Sequence, residues 1–320
     1  MKSSKEKLKN QFTFIDLFAG IGGTRLGLER AGGKCVFSSE WDVNCQKTYL
    51  ANFGETPNGD ITKILPGEIP NFDVLVGGFP CQPFSSIGKR QGFLHATQGT
   101  LFYDVARIID SKKPKAFLLE NVPGLLTHDK GKTFETVMST LRGLGYIVSE
   151  RVLNSVDFGV PQIRKRIYIV GFRSDLVQGN FQFDFPEGNG KIVHVNSILE
   201  KDALGYSISK RLQDGYLTKL NDGRPMKVDQ DSAHPVKTLV SSYHKIQRLT
   251  GTFVKDGETG LRLFSENECK ALMGFPKSFK VPVSRTQMYR QFGNSVVVPV
   301  VEAIALNMAL VFEKLAKQGQ

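Results

Sequence analysis

Apolar residues in the first half of the chain fall into short runs separated by stretches with helical spacing. FTFIDLF (12–18) reads as a buried strand running into a glycine loop, AGIGG. TRLGLERAG then reads as a helix stopped by Gly32 and Gly33. KCVFSSE predicts a second strand, and DVNCQKTYLANFG a helix opened by Asp42 and closed by Gly54. FDVLVGG and KAFLLENV predict further strands with the helix LFYDVARIID between them, and YIVSERVL and RKRIYIVGF two more. Strands alternating with helices imply an α/β fold, a mostly parallel sheet with helices on both faces.

After about Ser174 the pattern changes. Residues 180–260 carry weak runs broken by EGNG, NDGRP and KDGETG, the mark of a small, loop-rich domain. Regular structure returns with SENECKALMGF. The expected division is a large domain over 1–185 and 290–320, a small one over 186–265 and a hinge over 266–289. The longest apolar run, Val296 to Phe312, is interrupted by Pro299, Glu302 and Asn307, which favours an amphipathic C-terminal helix over a membrane span.

Composition adds little to this except charge. The 320 residues are 40% hydrophobic and 23% charged, as in an ordinary soluble protein. Four cysteines (Cys35, Cys45, Cys81, Cys269) form no CxxC pair and no grouping with the five histidines, so neither a metal site nor a disulfide framework is expected. The polar start KSSKEKLKNQ lacks the apolar core of a signal peptide, and with reduced thiols this points to the cytoplasm. A net charge of +11 suits a polyanionic partner, because each neutralised phosphate releases counterions.

Candidate chemistry gathers at strand ends. Gly20, Gly22 and Gly23 let the loop after the first strand turn tightly and approach a ligand. The second strand ends in Glu40, placed to accept the hydroxyl protons of a ribose. Trp41, the only tryptophan, offers a face for an adenine, and Asp60 stands where a third strand would end, suited to the adenine amino group. These features favour an adenosine ligand and leave NAD and S-adenosylmethionine unseparated. At the next strand end Pro80 and Pro83 hold Cys81 in an irregular loop that displays its sulfur. Cys35, Cys45 and Cys269 read as small buried hydrophobes. The neighbouring strand ends in Glu120 and Asn121. In PQIRKRIYIV, Gln162 precedes Arg164 and Arg166, which period two puts on one face, as surface charge or as a hold for an anion or base carbonyl.

At this point the chain resembles the bacterial DNA (cytosine-5)-methyltransferases of restriction–modification systems. The match runs through FIDLFAGIGG, GGFPCQPFS, GTLFYDVARII, ENVPGL, VPQIRKRIYIVGF, CKALMGFP and QFGNSVVVPV in the family's order. The resemblance implies the Rossmann-like fold of S-adenosylmethionine-dependent methyltransferases plus a small target-recognition domain. It implies Cys81 as the nucleophile on cytosine carbon 6, Glu120 on the ring nitrogen and Arg166 on the carbonyl oxygen. Arg164 would support the cysteine loop and a nearby phosphate. It implies a cofactor site of Phe18, Gly20, Gly22, Gly23, Glu40, Trp41, Asp60, Ile61, Pro80, Asn294, Ser295 and Val296. For DNA it implies base flipping under a closing loop that carries Ser85, Lys89 and Arg90, with further contacts from Gln162, Thr238, Leu239, Lys245 and Arg248. The implied partners are double-stranded DNA and a cognate restriction endonuclease acting on the same site without a stable complex. No membrane is implied, and the enzyme is expected to act as a monomer. The alternative, an RNA cytosine-5 methyltransferase, shares the core motifs but carries a cysteine–phenylalanine–threonine tripeptide absent here.

Overall fold

Parallel strands covered on both faces must be apolar along their whole length. The central strands of this protein, β3 (Val74–Gly77, VLVG) and β4 (Ala116–Asn121, AFLLEN), meet that demand up to the polar Glu120 and Asn121 that close β4. The computed structural model describes residues 12–79, 101–177 and 180–318. With β1 (Phe12–Leu17), β2 (Gly33–Ser39), β5 (Tyr146–Asn154) and β6 (Lys165–Arg173), these strands form a six-stranded sheet in the order β2-β1-β3-β4-β6-β5. The first four run parallel, while β6 lies antiparallel to both β4 and β5.

Period two along each strand sorts the side chains. Ile15, Leu17, Leu75, Phe117 and Leu119 pack under α3 (Leu101–Lys112) and α4 (Lys132–Gly143). Phe12, Phe14, Val74, Val76, Leu118 and Val170 face the other way, toward α1 (Gly23–Arg30) and α8 (Val298–Gln318). Helix α4 escaped the sequence reading. Its buried face includes Thr133 and Thr140 beside Val137, Met138 and Leu141, which blurs the apolar period. Helix α2 (Val43–Phe53) is capped by Asp42, whose side chain accepts from the amides of Asn44 and Cys45, and it ends at Gly54 in the left-handed region, as expected.

One expectation changes. Asp60 does not end a strand. The chain makes one parallel bridge from Asn58 to Ser39 and turns at once into a 3-10 turn, Ile61–Lys63, which Asp60 caps. Regular structure returns at SENECKALMGF as expected, where the chain forms α6 (Glu266–Met273) and then enters α7 (Arg285–Asn294). Ser265 and Glu268 close a capping box on α6, and Cys269, Leu272 and Met273 are buried.

The loop-rich region holds short elements: α5 (Lys210–Leu212) and a parallel pair, β7 (Met226–Val228) with β8 (Thr252–Val254). Its Leu239, Tyr243, Phe253 and Leu263 join the same apolar cluster as the α1/α8 face of the sheet. Helices α7 and α8 together are long and apolar enough to cross a membrane by length and composition. In the fold, however, Val300, Val301, Ile304, Ala305 and Met308 of α8 are buried in that cluster.

Candidate active site

In an open parallel sheet, ligands bind beyond the carboxyl ends of the strands where the order reverses. Here β2 lies on one side of β1 and β3 on the other, and a cavity of about 570 Å³ opens beyond them. Phe18 leaves β1 with φ +56, followed by Gly20 at +54 and Gly22 at +85. A Cβ on Gly20 would meet nothing nearer than 4.0 Å, so the absent side chain leaves room in the cavity wall. Gly23 is different: a Cβ there would stand 2.6 Å from Ser295 Oγ, and this close approach seals the loop against 295–296.

Glu40 is buried and braces this loop, accepting from the Gly20 amide at 2.8 Å and from the Asp42 amide at 2.8 Å. Burial raises its pKa, and those amides work against the shift. Asp60 accepts from the Thr62 amide at 3.0 Å and from its hydroxyl at 2.8 Å. These bonds hold its carboxyl below the usual range, so it is an anion suited to an amino group. Trp41 is 78% exposed where it lines the cavity, and Ile61, also in the wall, is buried. Asn294, Ser295 and Val296 complete the wall.

The cavity also takes residues that the sequence reading missed. Cys45, read as a small buried hydrophobe, is only half-buried and lines the wall. Its place in the first turn of α2, directly after Trp41 and Asp42, was the available signal. Gln291 lines the wall as well, accepting from Thr48 Oγ1 at 3.0 Å and donating to Asn44 O at 2.9 Å. It lies three residues before Asn294, on the same side of α7.

A second group meets the cavity at the end of β4. Glu120 Oε1 pairs with Arg166 Nε at 3.0 Å. Its other oxygen lies where a Cβ on Gly78 would come within 3.3 Å, so the carboxyl stands at the root of the segment leading to Cys81. Burial raises the Glu120 pKa, opposed by Arg166 and Arg164. Asn121 Nδ2 donates to Phe79 O at 2.9 Å, fixing the last described residue of that segment. Pro80, Cys81, Ser85, Lys89 and Arg90 lie outside the described residues. Among the described residues no cluster of His, Cys, Asp and Glu is suited to a metal ion.

The DNA-facing expectations divide. Lys245 is exposed on the turn Tyr243–Lys245. Thr238 donates from Oγ1 to Ile163 O at 2.7 Å, and Leu239 is buried, so both hold the loop in place. Gln162 and Arg248 are buried. Gln162 is fully buried, donating to Leu272 O at 2.9 Å and accepting from the Leu239 amide at 2.7 Å. Arg248 is buried on the Leu217 and Leu220 carbonyls and Asp222. Both side chains are thus engaged by groups inside the protein. Arg164 is likewise buried, on the carbonyls of Leu239, Gly293 and Ser295.

Residues 12–309 match the model of the family described as C-5 cytosine-specific DNA methylase. The chain belongs to that family. This methylase is 60% identical to Type II methyltransferase M.BsuFI of Bacillus subtilis, over 95% of its own length and 76% of the relative's. It is 54% identical to Type II methyltransferase M.MspI of Moraxella sp, over 100% of its own length and 75% of the relative's. A DNMT2 of Spodoptera frugiperda shares the fold, with a TM-score of 0.76 at 23% identity over 94% of this chain and 99% of that one. The methylase is thus a DNA cytosine C5 methyltransferase of the restriction–modification kind, and the RNA alternative is not favoured.

Proposed function

We propose that this methylase uses S-adenosylmethionine to methylate carbon 5 of a cytosine everted from a specific short sequence in double-stranded DNA. The observation that carries the reading is the adjacency of the adenosine-shaped cavity to the Glu120–Arg166 pair. The fit to the cofactor rests on the open wall at Gly20, the buried Glu40, the anionic Asp60 and the Trp41–Ile61 slot. When bound, the cofactor supplies a methyl group on a sulfonium sulfur.

Carbon 5 of cytosine is a poor nucleophile, and a thiolate bond to carbon 6 makes it a good one. Cys81 supplies that bond. Glu120 hydrogen-bonds the ring nitrogen and stabilises the charge that builds there, and Arg166 steadies both Glu120 and the base carbonyl. Loss of the carbon-5 proton afterwards releases the thiolate. A base inside a duplex cannot reach this site, and the handling of everted nucleotides is the general solution for methyltransferases. Ser85, Lys89 and Arg90 belong to the loop that closes over it, and Lys245 contributes to the DNA face. Residues 186–265 form the recognition domain. The enzyme works as a monomer in the cytoplasm, and a separate endonuclease cuts the same sequence when it is unmethylated.

The test uses a duplex carrying 5-fluorocytosine at the target, since fluorine cannot leave as the proton does. With cofactor present, an adduct stable to denaturant is expected on Cys81 and is lost in Cys81→Ser. Methyl transfer by Cys81→Ser at the native rate would remove the thiol from the mechanism. Bisulfite sequencing of plasmid from cells expressing the protein gives the sequence context.

A further inference from the structure

The segment carrying Arg164 docks on the recognition region as an irregular edge. The Ile163 amide donates to Val236 O at 2.8 Å, and the Val236 amide to Pro161 O at 2.9 Å. Gln162 ties the same stretch to α6 through Leu272 O and to the Leu239 amide. Arg164 then reaches across. Its Nη1 donates to Leu239 O at 3.0 Å, and its Nη2 to Gly293 O at 2.9 Å and Ser295 O at 2.7 Å. One buried cation therefore spans the recognition region and the cavity wall. A buried charge is costly unless its donors are paired. Arg164 keeps its partners only while 239 and 293–295 hold their spacing.

Gly293 makes the same junction by contact. A Cβ there would overlap the Ser241 amide nitrogen and the Val240 carbonyl carbon and stand 2.5 Å from Ser241 Cα. Only a bare Cα lets the two backbones approach this closely. Directly beyond it, Asn294, Ser295 and Val296 line the cavity. On the other side, 240–241 lead into the turn bearing Lys245 and to Ile246 at φ +52.

We infer that Gly293 and Arg164 are positioning residues that couple the cavity to the recognition loop 240–246. A ligand held by 294–296 stiffens the backbone on which 240–241 rests, because packed interiors transmit displacement rather than absorb it. The inference rests on the reading of the cavity as the cofactor site. By linkage, whatever favours the loop's DNA-bound form then also tightens the cofactor.

The test uses the full chain and S-adenosylhomocysteine without DNA. Amide hydrogen exchange over 239–246 should slow several-fold on saturation, while peptides of α4, which line no part of the cavity, change little. Target duplex should bind about tenfold tighter with the ligand present, in the ordinary range of coupling. In Gly293→Ala and in Arg164→Lys this ratio should fall toward one while S-adenosylhomocysteine still binds. Should either variant fail to fold, exchange in the unmodified protein decides. Ligand binding with unchanged exchange over 239–246, or an unchanged ratio in folded Gly293→Ala, overturns the coupling alone. Absence of ligand binding in the unmodified protein sinks the cofactor reading and the coupling with it.

Discussion

Asp16 is a fully buried carboxyl whose two oxygens have no hydrogen-bond partner. Burial, only partly offset by Arg25, pushes its pKa up to about 8 from an ordinary 3.8. The folded state therefore holds a proton that the unfolded chain gives up between those values. The stability contributed is complete below the lower value and is lost as pH rises through the upper one. Asp16→Asn should remove this slope, gaining on the order of a few kcal/mol over the parent between pH 5 and pH 8.5. Urea unfolding at both pH values measures it, and equal gains at each would disprove it. Glu120→Gln keeps a donor but not the acid, and its kcat should drop about 100-fold while target duplex still binds. In the parent enzyme kcat should decline as pH climbs through the raised Glu120 pKa, because the protonated form acts. Single-turnover methyl transfer across pH checks both. At this scale Asp60 reached the cavity wall from a turn rather than the expected strand, whereas the place of Glu40 there was legible because it directly follows a strand. Gln162 and Arg248 were not, since a polar side chain satisfied inside the protein has the same letter as one in solvent.

Between elements, α1 packs closely against α8. A Cβ on Gly27 would stand 2.7 Å from Val301 Cγ1 and 3.0 Å from the Glu302 amide nitrogen. Alanine gains about 1 kcal/mol of helix propensity over glycine. Forcing a methyl against a β-branched side chain and a backbone costs about 1–3 kcal/mol, and here the backbone cannot turn aside. Gly27→Ala should therefore lower stability by up to about 2 kcal/mol net. A denaturation midpoint at or above the parent's would contradict that packing. Strands β3 and β4 were legible because burial on both faces demands unbroken apolar runs. Helix α4 was hidden by its buried threonines, and the turn at Asp60 by a preceding single bridge that mimics a strand.

Across the whole molecule the excess of eleven positive charges sets the approach to DNA. The logarithm of affinity should fall linearly with that of salt, by about 0.9 for each phosphate neutralised, and a slope of several is expected. A flat titration would place the basic excess away from the duplex. The loop-rich character of residues 180–260 was visible from their glycine breaks. Their internal arrangement was not, because β7, β8 and the 236–239 edge are held by distant partners rather than by local pattern. The chain has a single tryptophan, and it stands at the lip of the cavity. Indole emission from this protein consequently has one source, at the one place where an adenine would shield it from water. Ligand occupancy can be followed by the colour and intensity of that light, in the unlabelled enzyme and in real time.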